Sequence, residues 1–198
     1  MRHPGLVKNH FASFALIILF TAFCSSVIAG STETENGFKV TTVFLVRHAE
    51  KAPTPPEDPP LNDKGKARSE KLSEMLQKAG IKAIYTSQFL RTKLTVEPLA
   101  RRLGLTAVEI PIKMDRAKPY LVSEESTRAF TDKVYENAGG AVLIVGHSNT
   151  LPEIIKMLGG DAVPELGEKE YDDIFIVTVY EKGKSKVVRV KYGEPSQT

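Results

Sequence analysis

The chain has 198 residues, 41% of them hydrophobic and 26% charged, which suits one ordinary globular domain with a sizeable core. Its formal charge of +3 falls to +1 once residues 1–29 are set aside, because they carry Arg2 and Lys8 and no acid. A body so nearly balanced argues against nonspecific nucleic-acid binding, which needs a strongly basic surface.

The amino-terminal residues read as a signal peptide over 1–29. Arg2, His3 and Lys8 form a basic region, and Phe11 to Phe23 is an apolar run broken only by Ser13 and Thr21. Val27-Ile28-Ala29 then offers a peptidase site, so cleavage after Ala29 and a periplasmic or secreted mature protein are expected. The alternatives are an uncleaved membrane anchor, if the apolar stretch extends through Ala29, and lipidation at Cys24, which bulky Phe23 fits poorly. Without an anchor, the mature domain has no membrane partner. Cleavage leaves no cysteine, which excludes a disulfide framework, thiol catalysis and thiolate metal sites. Residues 30–39 form a polar lead-in, and 40–194 the domain proper.

Thr41 to Val46 is a β-branched and aromatic run that predicts a buried strand ending in Arg47-His48-Ala49-Glu50. Such a strand delivers polar side chains to the carboxyl edge of a sheet, where open α/β folds place ligands. Prolines at 53, 55, 56, 59 and 60 make the next stretch a stiff surface loop, either a plain connector or a rim or lid over the site. Asn62 is a helix N-cap, with Leu72, Met75, Leu76 and Ala79 on one face and Gly80 closing it. Ala83-Ile84-Tyr85 predicts a second strand. A helix follows from about Phe89 to Leu103, stopped by Gly104, with a kink or break expected at Pro98. Thr106 to Ile110 predicts a third strand, and Pro111 to Val122 is irregular.

Ser123 caps a helix with Glu124 and Glu125 in its first turn, closed by Gly139-Gly140. Ala141 to Val145 predicts a fourth strand, running into Gly146-His147-Ser148-Asn149-Thr150 and a short helix from Leu151 to Leu158. Ile174–Tyr180 and Lys186–Tyr192 are two more strands joined by a hairpin turn. This order implies a mostly parallel sheet with helices on both faces, and one of the last two strands must run antiparallel to the rest.

Arg47, His48, Arg91 and His147 all follow the ends of predicted parallel strands, so they can converge on one edge. Two arginines and two histidines without a carboxylate cage make a poor metal site and a good dianion site. The helix after Gly146 adds free backbone donors. Neighbouring cations push a histidine pKa down, so a neutral imidazole here is a nucleophile near pH 7, and its attack on phosphorus gives a phosphohistidine. A second imidazole, if protonated, can hydrogen-bond the phosphoryl oxygens.

Leu45-Val46-Arg47-His48-Ala49-Glu50-Lys51, Pro60-Leu61-Asn62-Asp63-Lys64-Gly65, Ser87-x-x-x-Arg91-Thr92 and Gly146-His147-Ser148-Asn149-Thr150 together resemble the histidine phosphatase superfamily, in its phosphoglycerate-mutase-like branch 1. The resemblance runs from Thr41 to about Tyr180. It implies a three-layer α/β/α sandwich with one antiparallel strand, and metal-independent hydrolysis of a small phosphorylated substrate with no cofactor. It also implies that His48 is the phosphorylated nucleophile, that Arg47 and Arg91 bind phosphate, and that His147 is the second histidine of the phosphate pocket. The family's proton-donating carboxylate is not evident between Leu94 and Val122, where Glu109 and Asp115 read as surface charges. The candidates are Asp172 and Asp173, with Glu50 as their rival. A weakly catalytic or non-catalytic phospho-ligand-binding module of the same fold is the alternative. A phosphomutase fits less well, since the chain lacks the mutases' substrate-enclosing insertions.

Overall fold

The computed structural model describes residues 37, 39–114 and 122–196, all within the unit Ser31–Thr198. The expected signal peptide, most of the lead-in and Asp115 lie outside the described residues. The elements are β1 (Thr41–Arg47), α1 (Asp63–Leu76), β2 (Ile81–Thr86), α2 (Leu90–Leu103) and β3 (Val108–Glu109), followed by α3 (Glu124–Glu136), β4 (Ala141–Gly146), α4 (Thr150–Met157), β5 (Asp173–Glu181) and β6 (Lys184–Lys191). Among the described residues no helix is long and apolar enough to cross a membrane.

The strands form one sheet in the order β3-β2-β4-β1-β5-β6. β3, β2, β4 and β1 pair in parallel, whereas β5 runs antiparallel to both β1 and β6. β5 is therefore the single reversed strand. An antiparallel strand begins at the edge where its parallel neighbours finish, and Ile174 at the start of β5 pairs with Val46 at the end of β1. The segment before β5 thus arrives at the same edge as Arg47 and His48.

Strand periodicity builds the layers. Val43 and Leu45 pack with Phe130, Val134, Leu151 and Ile154 of α3 and α4, while Val46 packs with Leu72, Leu76, Val96 and Leu99 of α1 and α2 on the other face. Central strands buried on both faces need continuous apolar runs, and Val142 to Val145 of β4 is such a run, fully buried.

Four local expectations are corrected. Met75 is exposed, because the buried face of α1 instead follows Gly65, Arg68, Ser69, Leu72 and Leu76. β3 is only Val108–Glu109, an edge pairing with Tyr85 and Thr86 that stops before Pro111. α3 ends at Glu136, capped by Asn137, ahead of the two glycines. Pro98 does not interrupt α2. A proline there leaves the Leu94 carbonyl without its helical donor, and Ser69 Oγ fills that place, donating at 3.0 Å to Leu94 O and 2.9 Å to Thr95 O.

Candidate active site

β1 and β4 lie side by side with Arg47 opposite Gly146, and His48 N donates to Gly146 O at 3.0 Å. The residues after the two strands are therefore neighbours at the carboxyl edge. β2, on the far side of β4, brings Ser87 and the first turn of α2, which carries Arg91. The structure brings together all four site residues read from the sequence. Arg47, His48, Arg91 and His147 line one cleft of about 280 Å³, with Phe89 and Tyr171 among its walls.

His48 is buried at 4% exposure, and its Nδ1 lies 2.8 Å from Ala49 O. A carbonyl only accepts, so Nδ1 carries the proton and Nε2 keeps its lone pair. The backbone around it is held in place as well, because Ala49 N donates to Thr95 Oγ1 of α2 at 2.9 Å. Burial pushes the His48 pKa down to about 2, with His147, Arg47 and Arg91 adding to the effect. The direction is the expected one, but desolvation contributes more than the neighbouring cations.

His147 sits 5.3 Å from His48 between ring centroids, and its pKa is lowered to about 3 by burial, then by Arg91 and Arg47. It is thus neutral near pH 7. Its Nε2 lies 2.9 Å from Ser87 Oγ, which in turn meets Thr92 Oγ1 at 3.0 Å. When Ser87 donates to Nε2, Nδ1 bears the proton and becomes a donor without any net charge. Ser87 and Thr92 are fully buried, so this relay orients the ring. The sequence carried both residues in the Ser87-x-x-x-Arg91-Thr92 motif without showing that they act on His147.

The two low histidine pKa values carry a stability consequence. Between the ordinary histidine pKa near 6.5 and the folded values, the unfolded chain binds more protons than the folded one. Stability is therefore complete above pH ~6.5 and is lost as pH falls below it. Thermal melts from pH 7.5 to 4 should show a falling Tm that flattens in a His147→Gln variant; parallel curves for the two proteins would contradict this assignment.

Each arginine is stacked on a ring. The Arg47 guanidinium lies 4.3 Å from the Tyr171 ring centre and that of Arg91 4.2 Å from Phe89. Arg47 also donates through Nη1 to Gly167 O at 2.6 Å and Glu170 O at 3.0 Å, which ties the segment before β5 over the site. Arg91 Nη1 has Asp58 at 3.7 Å. The Nε atoms of both arginines are buried and have no hydrogen-bond partner among the described residues. Both side chains line the cleft, so each guanidinium keeps donor capacity that an incoming oxyanion can use.

The donors expected at the start of α4 are partly used, since Thr150 N and Leu151 N both turn back to His147 O, at 3.0 and 3.2 Å. The proline-rich loop is more than a connector. Asp58 accepts from Leu90 N at 2.9 Å, capping α2 beside Arg91, and Lys51 lines the cleft.

The carboxylates expected to donate a proton do not fit that task. Glu50 is paired with Arg68, which reaches it through Nη2 at 2.8 Å and through Nε. Asp173 takes two bonds from Arg189, at 2.7 and 2.8 Å, and one from Lys191. Burial works to raise the Asp172 pKa, but bonds from Lys191 and Ser196 outweigh it and hold it at about 2. A general acid needs the opposite shift. Among the described residues Glu168 is the carboxylate that lines the cleft, and it makes no ion pair with them. Sequence reading missed it because it stands in a loop with no motif, among Glu165, Lys169 and Glu170.

Residues 43–117 match the family model of the histidine phosphatase superfamily (branch 1). The matched segment contains Arg47, His48 and Arg91 and stops before His147. The resemblance read from the motifs is the one the family model finds. Among solved structures, the protein histidine phosphatase SixA complexed with tungstate is 20% identical, with a TM-score of 0.58 over 76% of this chain and 96% of that one. A phosphoglycerate mutase from Bacillus anthracis is 17% identical, with a TM-score of 0.61 over 79% and 95%. A mycobacterial glucosyl-3-phosphoglycerate phosphatase is 12% identical, with a TM-score of 0.57 over 78% and 99%. At such identities the likeness establishes the fold. No curated protein sequence matches the chain.

Proposed function

We propose that the chain, as a member of the histidine phosphatase superfamily, hydrolyses phosphomonoesters through a phosphohistidine on His48. The observation that carries this reading is a buried, neutral imidazole whose free Nε2 shares a small cleft with two arginines and a second histidine. The phosphatases among the fold neighbours agree with it.

In this mechanism Arg47 and Arg91 seat the phosphate dianion, and their fixed charge offsets its desolvation. His48 Nε2 attacks phosphorus in line, the N–P bond forms, and the ester P–O bond breaks with its electron pair leaving on oxygen. The Glu168 carboxyl delivers a proton to that oxygen, releasing the alcohol. Water then attacks the phosphohistidine, Glu168 takes the water's proton, and inorganic phosphate leaves as the imidazole is restored. His147 donates Nδ1–H to the phosphoryl oxygens in both steps. The setting outside the cytoplasm is part of the proposal and rests on residues 1–29.

Hydrolysis of para-nitrophenyl phosphate in chelator tests the reading. Metal-independent release of the phenol supports an enzyme, and tight phosphate binding without release identifies a binding module. Glu168→Gln should lower kcat for an alkyl phosphate about 10²-fold or more, and far less for the nitrophenyl ester, whose leaving group needs no proton. Equal losses on both substrates would remove Glu168 from this role.

A further inference from the structure

Glu168 is exposed and stands in the irregular stretch between α4 and β5. A carboxylate on a free loop samples many positions, whereas proton delivery needs one, within hydrogen-bond reach of the leaving oxygen. The chain restrains this stretch on both sides of Glu168. Leu166 before it is buried in the core. Tyr171 after it stacks on Arg47 and donates its backbone N–H to Ser196 Oγ at 2.8 Å.

Between these anchors Gly167 to Glu170 form a turn, closed by the bond from Glu170 N to Gly167 O at 3.0 Å. Arg47 Nη1 spans the same two residues, donating to Gly167 O at 2.6 Å and to Glu170 O at 3.0 Å. A side chain adds a further closure. The Glu170 carboxylate folds back over the turn and accepts from Gly167 N at 2.6 Å through Oε2. Its other oxygen, Oε1, faces Arg189 Nη2 at 3.8 Å. A carboxylate on a backbone N–H makes a charge-assisted bond, stronger than a neutral one. Glu170 does not line the cleft, so it acts on a substrate only through what it holds.

We propose that Glu170 is a positioning residue, whose carboxylate fixes the turn that presents Glu168 to the leaving oxygen. The inference rests on the proposed role of Glu168 in proton transfer. Arg47 gives the arrangement its logic, because the guanidinium that seats the phosphate also grips the turn. Phosphate and proton donor are then referenced to one side chain, and Glu170 stiffens the turn from within.

Values of kcat/KM for propyl phosphate and para-nitrophenyl phosphate test this, since that ratio reads the steps through cleavage of the ester bond. Glu170→Ala should lower the propyl phosphate value about tenfold, as loss of one charge-assisted hydrogen bond allows, and the nitrophenyl value far less. Glu170→Gln keeps an acceptor for Gly167 N and should recover most of that loss. On a Glu168→Gln background the alanine change should add little, because misplacing an acid has no effect once the acid is gone. Equal losses on the two esters, a loss that adds in full to that of Glu168→Gln, or a glutamine variant no better than alanine would overturn the proposal. A clear loss in Glu168→Gln with none in Glu170→Ala would overturn it and leave the role of Glu168 intact. No loss in Glu168→Gln would remove that role and this inference together.

Discussion

Replacement of His48 by alanine should lower turnover of para-nitrophenyl phosphate by about 10⁴-fold or more, because it removes the only group that forms the covalent bond in the proposed route. The same variant should still bind inorganic phosphate, since Arg47, Arg91 and His147 stay in place around the cleft. Steady-state kinetics and a phosphate titration read the two effects apart. The distinction matters because His48 contributes little to holding the anion when neutral. A variant that lost binding and turnover together would show His48 to be a phosphate ligand rather than a nucleophile. His147→Ala should cost less, about 10²- to 10³-fold, as expected for loss of one transition-state donor.

Gly65→Ala should be the most damaging single-methyl change near the site. A Cβ at Gly65 would lie 2.2 Å from the backbone oxygen of Glu50, and backbone cannot swing away as a side chain does. The Glu50 carbonyl is fixed from the other side by Asn62 N at 3.0 Å, and the Asn62 side chain caps α1 by accepting from Gly65 N at 2.9 Å. Overpacking of this kind costs about 1–3 kcal/mol, which for a domain of this size lowers Tm by roughly 3–10 °C. Because Glu50 follows His48 by two residues, kcat should fall as well. Calorimetry and a turnover assay on the purified variant measure both, and an unchanged Tm would contradict the packing described here.

That result would also explain why Pro60-Leu61-Asn62-Asp63-Lys64-Gly65 is visible in the sequence as a motif although none of its side chains lines the phosphate cleft. Its glycine and its cap set the backbone that carries His48. The core strands were legible for a related reason. β1 and β4 are buried on both faces, so continuous apolar runs are the only sequences that suit them. The polar residues that interrupt those runs, Arg47-His48 and Gly146-His147, therefore mark the site directly.

The proposed proton donor was not legible in the same way. Asp172 and Asp173 stand beside the site in sequence, and the adjoining residue Tyr171 does reach it, stacking on Arg47. The two carboxylates are instead claimed by Lys191 and Arg189 of β6. That strand follows β5 through the expected hairpin, but the register that sets Lys191 opposite Asp173 is not carried by any local motif. Glu50 is drawn away in the same manner by Arg68, 18 positions on. Pro98 gives the converse case: a residue that breaks helices in isolation is accommodated because Ser69 of another helix supplies the missing donor. Tertiary partners decided each of these outcomes.

The central claim is that His48 carries the phosphoryl group during turnover. Rapid acid-free quenching of the protein with ³²P-labelled phosphomonoester measures it most directly. The account predicts label on the protein that resists alkali, is released by acid and maps to the peptide containing His48, and that is missing from His48→Ala. Turnover with no labelled intermediate, or label on a different residue, would contradict it.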